Sequence, residues 1–64
     1  MKNISPIKLA RMRNGITQAD LAAKLNISVT AVSMWETGIT HPSVKKLKPL
    51  AEALGTTVDE LLTG

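Results

Sequence analysis

Apolar residues recur along this chain at three- and four-residue intervals, and small or polar residues break the pattern at short distances. Ile7, Ala10 and Met12, with basic residues between them, mark a first helix, and Leu21, Ala22 and Leu25 a second. Val32 and Trp35 mark the inward side of a third, and Val44, Leu47, Leu50, Ala51 and Leu54 form a longer run. The breaks carry the chemistry of helix ends. Ser5-Pro6 reads as an N-cap followed by proline at the first helical position, where its missing N–H costs nothing. Gly15 supplies a left-handed residue after Asn14. Thr17 opens the second helix, with Asp20 three residues on in place of the usual Glu of a capping box. Asn26, a residue that tolerates left-handed geometry, ends that helix.

Only Asn26 and Ile27 separate the second helix from the next cap, Ser28, and the third helix is predicted over Val29 to Glu36, stopping at Gly38. Val29, Thr30 and Val32 are β-branched and would suit a strand in isolation. Caps on both sides and the lack of a second strand argue for a helix. Ile39 to Pro42 reads as a loop and Ser43 as the next cap. Pro49 interrupts the run that follows, since proline inside a helix removes a backbone hydrogen bond and crowds the preceding turn. The expectation is a short helical turn over 44–47 and a main helix starting near Lys48 or Pro49, closed at Leu54-Gly55. Thr57 and Glu60 form a capping box for a fifth helix over Val58–Leu62, with Val58, Leu61 and Leu62 assigned mostly to the core. The fold class is all-α: five short helices in one domain over residues 1–64.

Composition narrows the function classes. A chain of 64 residues buries only about 60% of the surface its unfolded form exposes, so stability must come from helix packing, with dimerisation as a further aid. There is no cysteine, hence no disulfide and no thiolate metal site, and the lone His41 has no carboxylates at ligand spacing. No metal or cofactor is expected. Apolar runs are too short to span a membrane, and the first residues lack the apolar core of a signal peptide, so the default expectation is a cytoplasmic protein. No nucleophile–base pair or carboxylate dyad has recognisable spacing, and the glycines match no phosphate-cradling loop, which excludes an enzyme on the sequence. No effector domain fits the length, so no small-molecule ligand is expected.

The net charge of +3 hides an asymmetry: residues 1–48 hold all eight basic residues against Asp20 and Glu36, whereas residues 49–64 hold Glu52, Asp59 and Glu60 and nothing basic. One end of the chain is suited to a polyanion. Two helices joined by so short a turn make a helix-turn-helix arrangement over about residues 18–37. Ala22 is small where the third helix must cross the second closely. Leu21, Leu25, Ile27, Val32 and Trp35 lock the crossing angle. Val29, Thr30, Ser33 and Met34 remain on the exposed side of the third helix.

On these residues the chain resembles the lambda-repressor-like DNA-binding domains of the Cro and XRE type. The motifs that carry the resemblance are Thr17-Gln18-Ala19-Asp20-Leu21-Ala22, Ala31-Val32-Ser33-Met34-Trp35-Glu36-Thr37-Gly38, Pro42-Ser43, and Leu50-Ala51-Glu52-Ala53-Leu54-Gly55 with Asp59-Glu60-Leu61-Leu62. It covers residues 7–62. The resemblance implies a compact five-helix domain whose third helix enters the major groove of double-stranded DNA, in a bacterial or phage transcriptional regulator that represses by occluding a promoter. It implies base reading by Val29, Thr30, Ser33 and Met34. Phosphate contacts would come from Gln18, Ser28, Thr37, Thr40 and His41, with Lys45 and Lys46 added. It also implies a structural ion pair between Arg11 and Glu36, and a homodimer, at least on DNA, that spans a pseudo-palindromic operator. The end of the fifth helix lies near the dimer contact in such domains.

The sequence departs from the family's habit at Asn26, where glycine is most frequent, and on the third helix, whose exposed face has no Arg, Lys, Gln or Asn. Those side chains make the bidentate contacts that discriminate guanine and adenine. Thymine contacts and DNA shape would then carry specificity. Two alternatives stay open. One is a protein-interaction module, such as an antitoxin or accessory regulator, that uses the uncharged face of the third helix with Ile39. The other is a nonspecific nucleic-acid binder driven by the basic half, marked by a steep salt dependence without sequence preference.

Overall fold

The computed structural model describes residues 5–63, the last of them by backbone alone. Met1 to Ile4, on which the expectation about a signal peptide rests, and Gly64 lie outside the described residues. Five helices follow in order: α1 Pro6–Arg13, α2 Gln18–Leu25, α3 Val29–Thr37, α4 Val44–Leu54 and α5 Val58–Thr63. Among the described residues there is no strand. No helix is long and apolar enough to cross a membrane.

The helix ends repeat one device. At the C-termini of α1, α2, α3 and α4 a left-handed residue follows the last turn, at Gly15, Asn26, Gly38 and Gly55. Each time the next residue's N–H reaches back five positions: Ile16 to the Arg11 carbonyl at 3.4 Å, Ile27 to Ala22 at 3.0 Å, Ile39 to Met34 at 3.0 Å and Thr56 to Ala51 at 2.9 Å. This is the Schellman motif, which satisfies carbonyls the helix leaves open. Asn26 adopts φ 57° and ψ 46° without the freedom of a glycine; asparagine accepts this region better than other residues with a Cβ. At the N-termini, Ser5 accepts from the Ile7 N–H and Ser28 from the Ala31 N–H. Thr17 and Asp20 exchange both bonds of a capping box at 3.0 Å each. Thr57 accepts from the Glu60 N–H at 3.2 Å, which is one half of the expected box. Ser43 caps α4 by backbone geometry without a side-chain bond.

The core gathers Ile7, Ala10, Leu21, Ala22, Val32, Trp35, Leu50, Ala51, Leu54 and Leu61, with Ile16, Leu25, Ile27, Ala53 and Val58 packed against it. α2 packs on α3 and α4, while α1 packs on α3 and α5. Leu21, Val32 and Leu50 are wholly sealed from water. Asn14 adds a tie between distant helix ends: its amide donates to the Ala10 carbonyl at 2.8 Å and to the Leu54 carbonyl at 2.6 Å.

Two expectations are corrected. Leu62 is exposed and not in the core. Leu61 alone of the C-terminal leucines turns inward. α4 is one continuous helix from Val44 to Leu54 with Pro49 inside it, and no break separates 44–47 from the rest. Pro49 and Lys45 are both exposed, so the Lys45 carbonyl deprived of a donor can bond to water. The first turn is tightened, with the Lys46 N–H on the Ser43 carbonyl at 2.9 Å. Continuity keeps Leu47, Leu50, Ala51 and Leu54 on one face, and burial of that face outweighs a proline cost of about 3 kcal/mol.

Candidate nucleic-acid interface

The helix-turn-helix unit is built on Leu21 and Ala22. Both are buried on α2, and Ala22, only 3% exposed, lets α3 approach closely. The turn from Asn26 to Ser28 then needs no room of its own: Ile27 tucks partly into the core and Ser28 caps α3 at once. The result is a third helix with two unlike sides. Val32 and Trp35 face inward and are buried. Val29, Thr30, Ser33, Met34 and Thr37 follow one another around the opposite side at helical spacing. Val29, Thr30 and Thr37 are exposed, whereas Ser33 and Met34 are half-buried, so the outer face is freest at its first turn. The hydroxyls of Thr30 and Ser33 bond to nothing among the described residues. The Thr37 hydroxyl, in contrast, donates back to the Ser33 carbonyl at 3.1 Å and to the Met34 carbonyl at 3.3 Å.

Beneath the end of α3 sits an ion-pair network. Arg11 Nε donates to Glu36 Oε2 at 2.6 Å and Nη2 to Oε1 at 3.1 Å, the two-pronged geometry that a guanidinium fork offers a carboxylate. Arg11 Nη1 donates to the Ile16 carbonyl at 2.9 Å. Gln18 Nε2 donates to Glu36 Oε1 at 3.0 Å. The side chains of Arg11 and Glu36 are 12% and 3% exposed. Burial by itself pushes the Glu36 carboxyl up; the hydrogen bonds from Arg11 and Gln18, with the charges of Arg11 and Lys8, outweigh it and hold the group below the usual glutamate range. The hydrogen bond to Glu36 likewise raises the Arg11 guanidinium against the opposing effect of burial. The network therefore joins α1, the start of α2 and the end of α3 in their charged forms. The spacing of the sequence does not reveal that Gln18 belongs to it, because its partner lies eighteen residues away.

The remaining candidates stand apart. Thr40 and His41 are exposed in the loop after α3, and Lys45 and Lys46 are exposed in the first turn of α4. Two cations at a helix N-terminus oppose the helix dipole, so they gain little from their own helix. Asp20 sits at the start of α2, with its carboxyl held below the usual range by the Thr17 backbone and hydroxyl. An apolar groove of about 440 Å³ lies at the end of α3, lined by Pro6, Trp35, Pro42, Leu47 and Leu62 together with Thr37 and His41.

Comparison with known proteins agrees with this architecture. The family of proteins described as helix-turn-helix matches residues 7–61. The HTH-type transcriptional activator BcrR of Enterococcus faecalis is 42% identical over 59 residues, covering 89% of this chain and 29% of its own length. The HTH-type transcriptional regulator DdrOP3 of Deinococcus deserti is 38% identical over 64 residues, which is 100% of this chain and 50% of that protein. The cryptic phage CTXphi transcriptional repressor RstR of Vibrio cholerae is 38% identical over 56 residues, 84% of this chain and 50% of the repressor. The chain thus spans half or less of the length of these relatives. With the match running from the start of α1 into α5, the chain belongs to the helix-turn-helix family.

Proposed function

We propose that the chain binds double-stranded DNA in a sequence-specific manner and regulates transcription, with α3 as the helix that enters the major groove. The observation that carries this is the two-sided build of α3: Val32 and Trp35 anchor it while Val29 and Thr30 stand free at its first turn, the part of a recognition helix that meets base edges. Its relatives named above as an activator, a regulator and a repressor support regulation without choosing a direction.

In this reading Val29, Thr30, Ser33 and Met34 meet bases, the last two through the parts of their side chains that stay accessible. Ser28, Thr40, His41, Lys45 and Lys46 meet phosphates. Gln18 contributes the carboxamide N–H that Glu36 does not use. Thr37 reaches a phosphate only by releasing the bond to its own helix. Two copies bind one pseudo-palindrome, with the exposed Leu62 at the end of α5 close to the contact between them. Occlusion of a promoter is the simplest consequence, in the cytoplasm and without any chemical step. A second reading, a protein partner seated on the uncharged face of α3, is favoured by the exposure of Val29 and Ile39.

Selection of bound duplexes from a random pool at fixed physiological salt tests both. Enrichment of a pseudo-palindrome with half-sites about one helical turn apart supports the dimeric DNA reader. Recovery of no preferred sequence overturns it and leaves the partner protein.

A further inference from the structure

The outer face of α3 has an unusual chemical restriction: from Ser28 to Thr37 it offers methyl groups, one thioether and hydroxyls, with no amide, guanidinium, ammonium or carboxylate. We propose that this face recognises the 5-methyl group of pyrimidines as a class, so that 5-methylcytosine takes the place of thymine beneath it. The inference rests on the assignment of α3 as a DNA reader and goes beyond it by naming the chemistry that is read.

In the major groove thymine presents the O4 acceptor and a methyl on C5, whereas cytosine presents the N4 amino donor and bare C5. 5-Methylcytosine combines the methyl of the first with the donor of the second. A carboxylate beneath the base would select the amino group, and a guanidinium or ammonium would select O4, because each has only one polarity. A hydroxyl is both donor and acceptor. The Thr30 hydroxyl has no partner among the described residues and can turn to satisfy O4 or N4–H₂ alike. Polarity at position 4 is therefore weakly discriminated, and the methyl at C5 decides.

The surface that meets that methyl is apolar and partly free. Val29 is 44% exposed at the first position of the helix, next to the Thr30 methyl. Met34 lies half-buried one turn further along, its flexible chain suited to filling an irregular gap. Each methyl sealed from water is worth about a fourfold gain in affinity.

The test uses the full chain and the selected operator at one salt concentration. Each thymine under α3 is replaced in turn by uracil, cytosine and 5-methylcytosine, with the opposite base changed to pair. The expected result is a loss of about fourfold with uracil, a loss at least as large with cytosine, and recovery to within about twofold of thymine with 5-methylcytosine. Val29→Ala should shrink the difference between thymine and uracil while the thermal melt stays close to that of the parent. Equal binding of thymine and uracil, or of cytosine and 5-methylcytosine, overturns the inference and leaves DNA reading intact. An operator without thymine under α3 overturns it also. A selection that enriches nothing removes the DNA-reading assignment itself.

Discussion

The inner and outer faces of α3 are opposites in burial and in hydrogen bonding. Inward, Val32 and Trp35 are buried, and the Glu36 side chain is 3% exposed in a three-membered network. Outward, on the same helix, Val29 and Thr30 are exposed and the Thr30 hydroxyl has no partner among the described residues. The inner face is buried and hydrogen-bonded within the chain, whereas the first turn of the outer face leaves an apolar side chain and a hydroxyl open to solvent. The division teaches how so small a domain keeps a binding surface. Anchoring from one side holds the helix rigid, so the other side can be chosen for what it meets outside the protein.

The comparison breaks first on the inner face. Trp35→Ala should cost about 3–5 kcal/mol, most of the stability expected of a domain this size, and chemical denaturation should find the variant largely unfolded. A loss below about 1 kcal/mol would mean that Trp35 is not a core residue. Next comes the network: Arg11→Met leaves the Glu36 carboxylate buried and unpaired, at a cost of about 3 kcal/mol. A thermal melt unchanged from the parent would remove the ion pair from the account.

The same pair gives a pH dependence of definite sign. The Glu36 carboxyl is held below its ordinary range in the folded state, so on acidification the unfolded chain takes up the proton first. The stabilisation is complete above the unfolded glutamate value of about 4.3 and is lost as pH falls through the lower folded value. Melting temperatures of the parent and Glu36→Gln should therefore converge only as pH falls below about 4.3. Convergence near neutrality would contradict the direction of the shift.

Smaller effects sharpen the contrast from the outer side. Ser28→Ala removes the cap on the Ala31 N–H and should lower stability by about 1 kcal/mol, measured by denaturant titration. Thr30→Val should change stability by less than about 0.5 kcal/mol and yet weaken operator binding several-fold. A Thr30→Val variant that binds as tightly as the parent would show that the hydroxyl does not face a base.

Much of this protein was legible in local chemistry. The five helices, the four left-handed stops at Gly15, Asn26, Gly38 and Gly55, and the complete Thr17–Asp20 box follow from residues within one or two turns of one another. Cap and stop signals act locally, so they survive without knowledge of the fold. The two-residue turn, Ala22 and the inward spacing of Val32 and Trp35 also indicated the helix-turn-helix. What failed was what depended on distant neighbours. Leu62 is apolar at plausible spacing, yet it stays exposed. Ser33 and Met34 share the outer face with Thr30 but are half-covered.

Pro49 shows the limit most clearly. Local chemistry alone argues for a break, because proline removes a helical hydrogen bond wherever it stands. The tertiary structure decided otherwise: Leu50, Ala51 and Leu54 are buried against the rest of the core, and a continuous α4 keeps Leu47 in line with them while Pro49 faces water. Gln18 makes the same point for the candidate site. As the first residue of α2 its position could be read from the cap before it, but its hydrogen bond to Glu36 exists only because α3 folds back across α2. Helix ends are set by short-range hydrogen bonding, which the sequence by itself determines. Which apolar residue is covered, and which polar group finds a partner, depends on surfaces brought together from far along the chain.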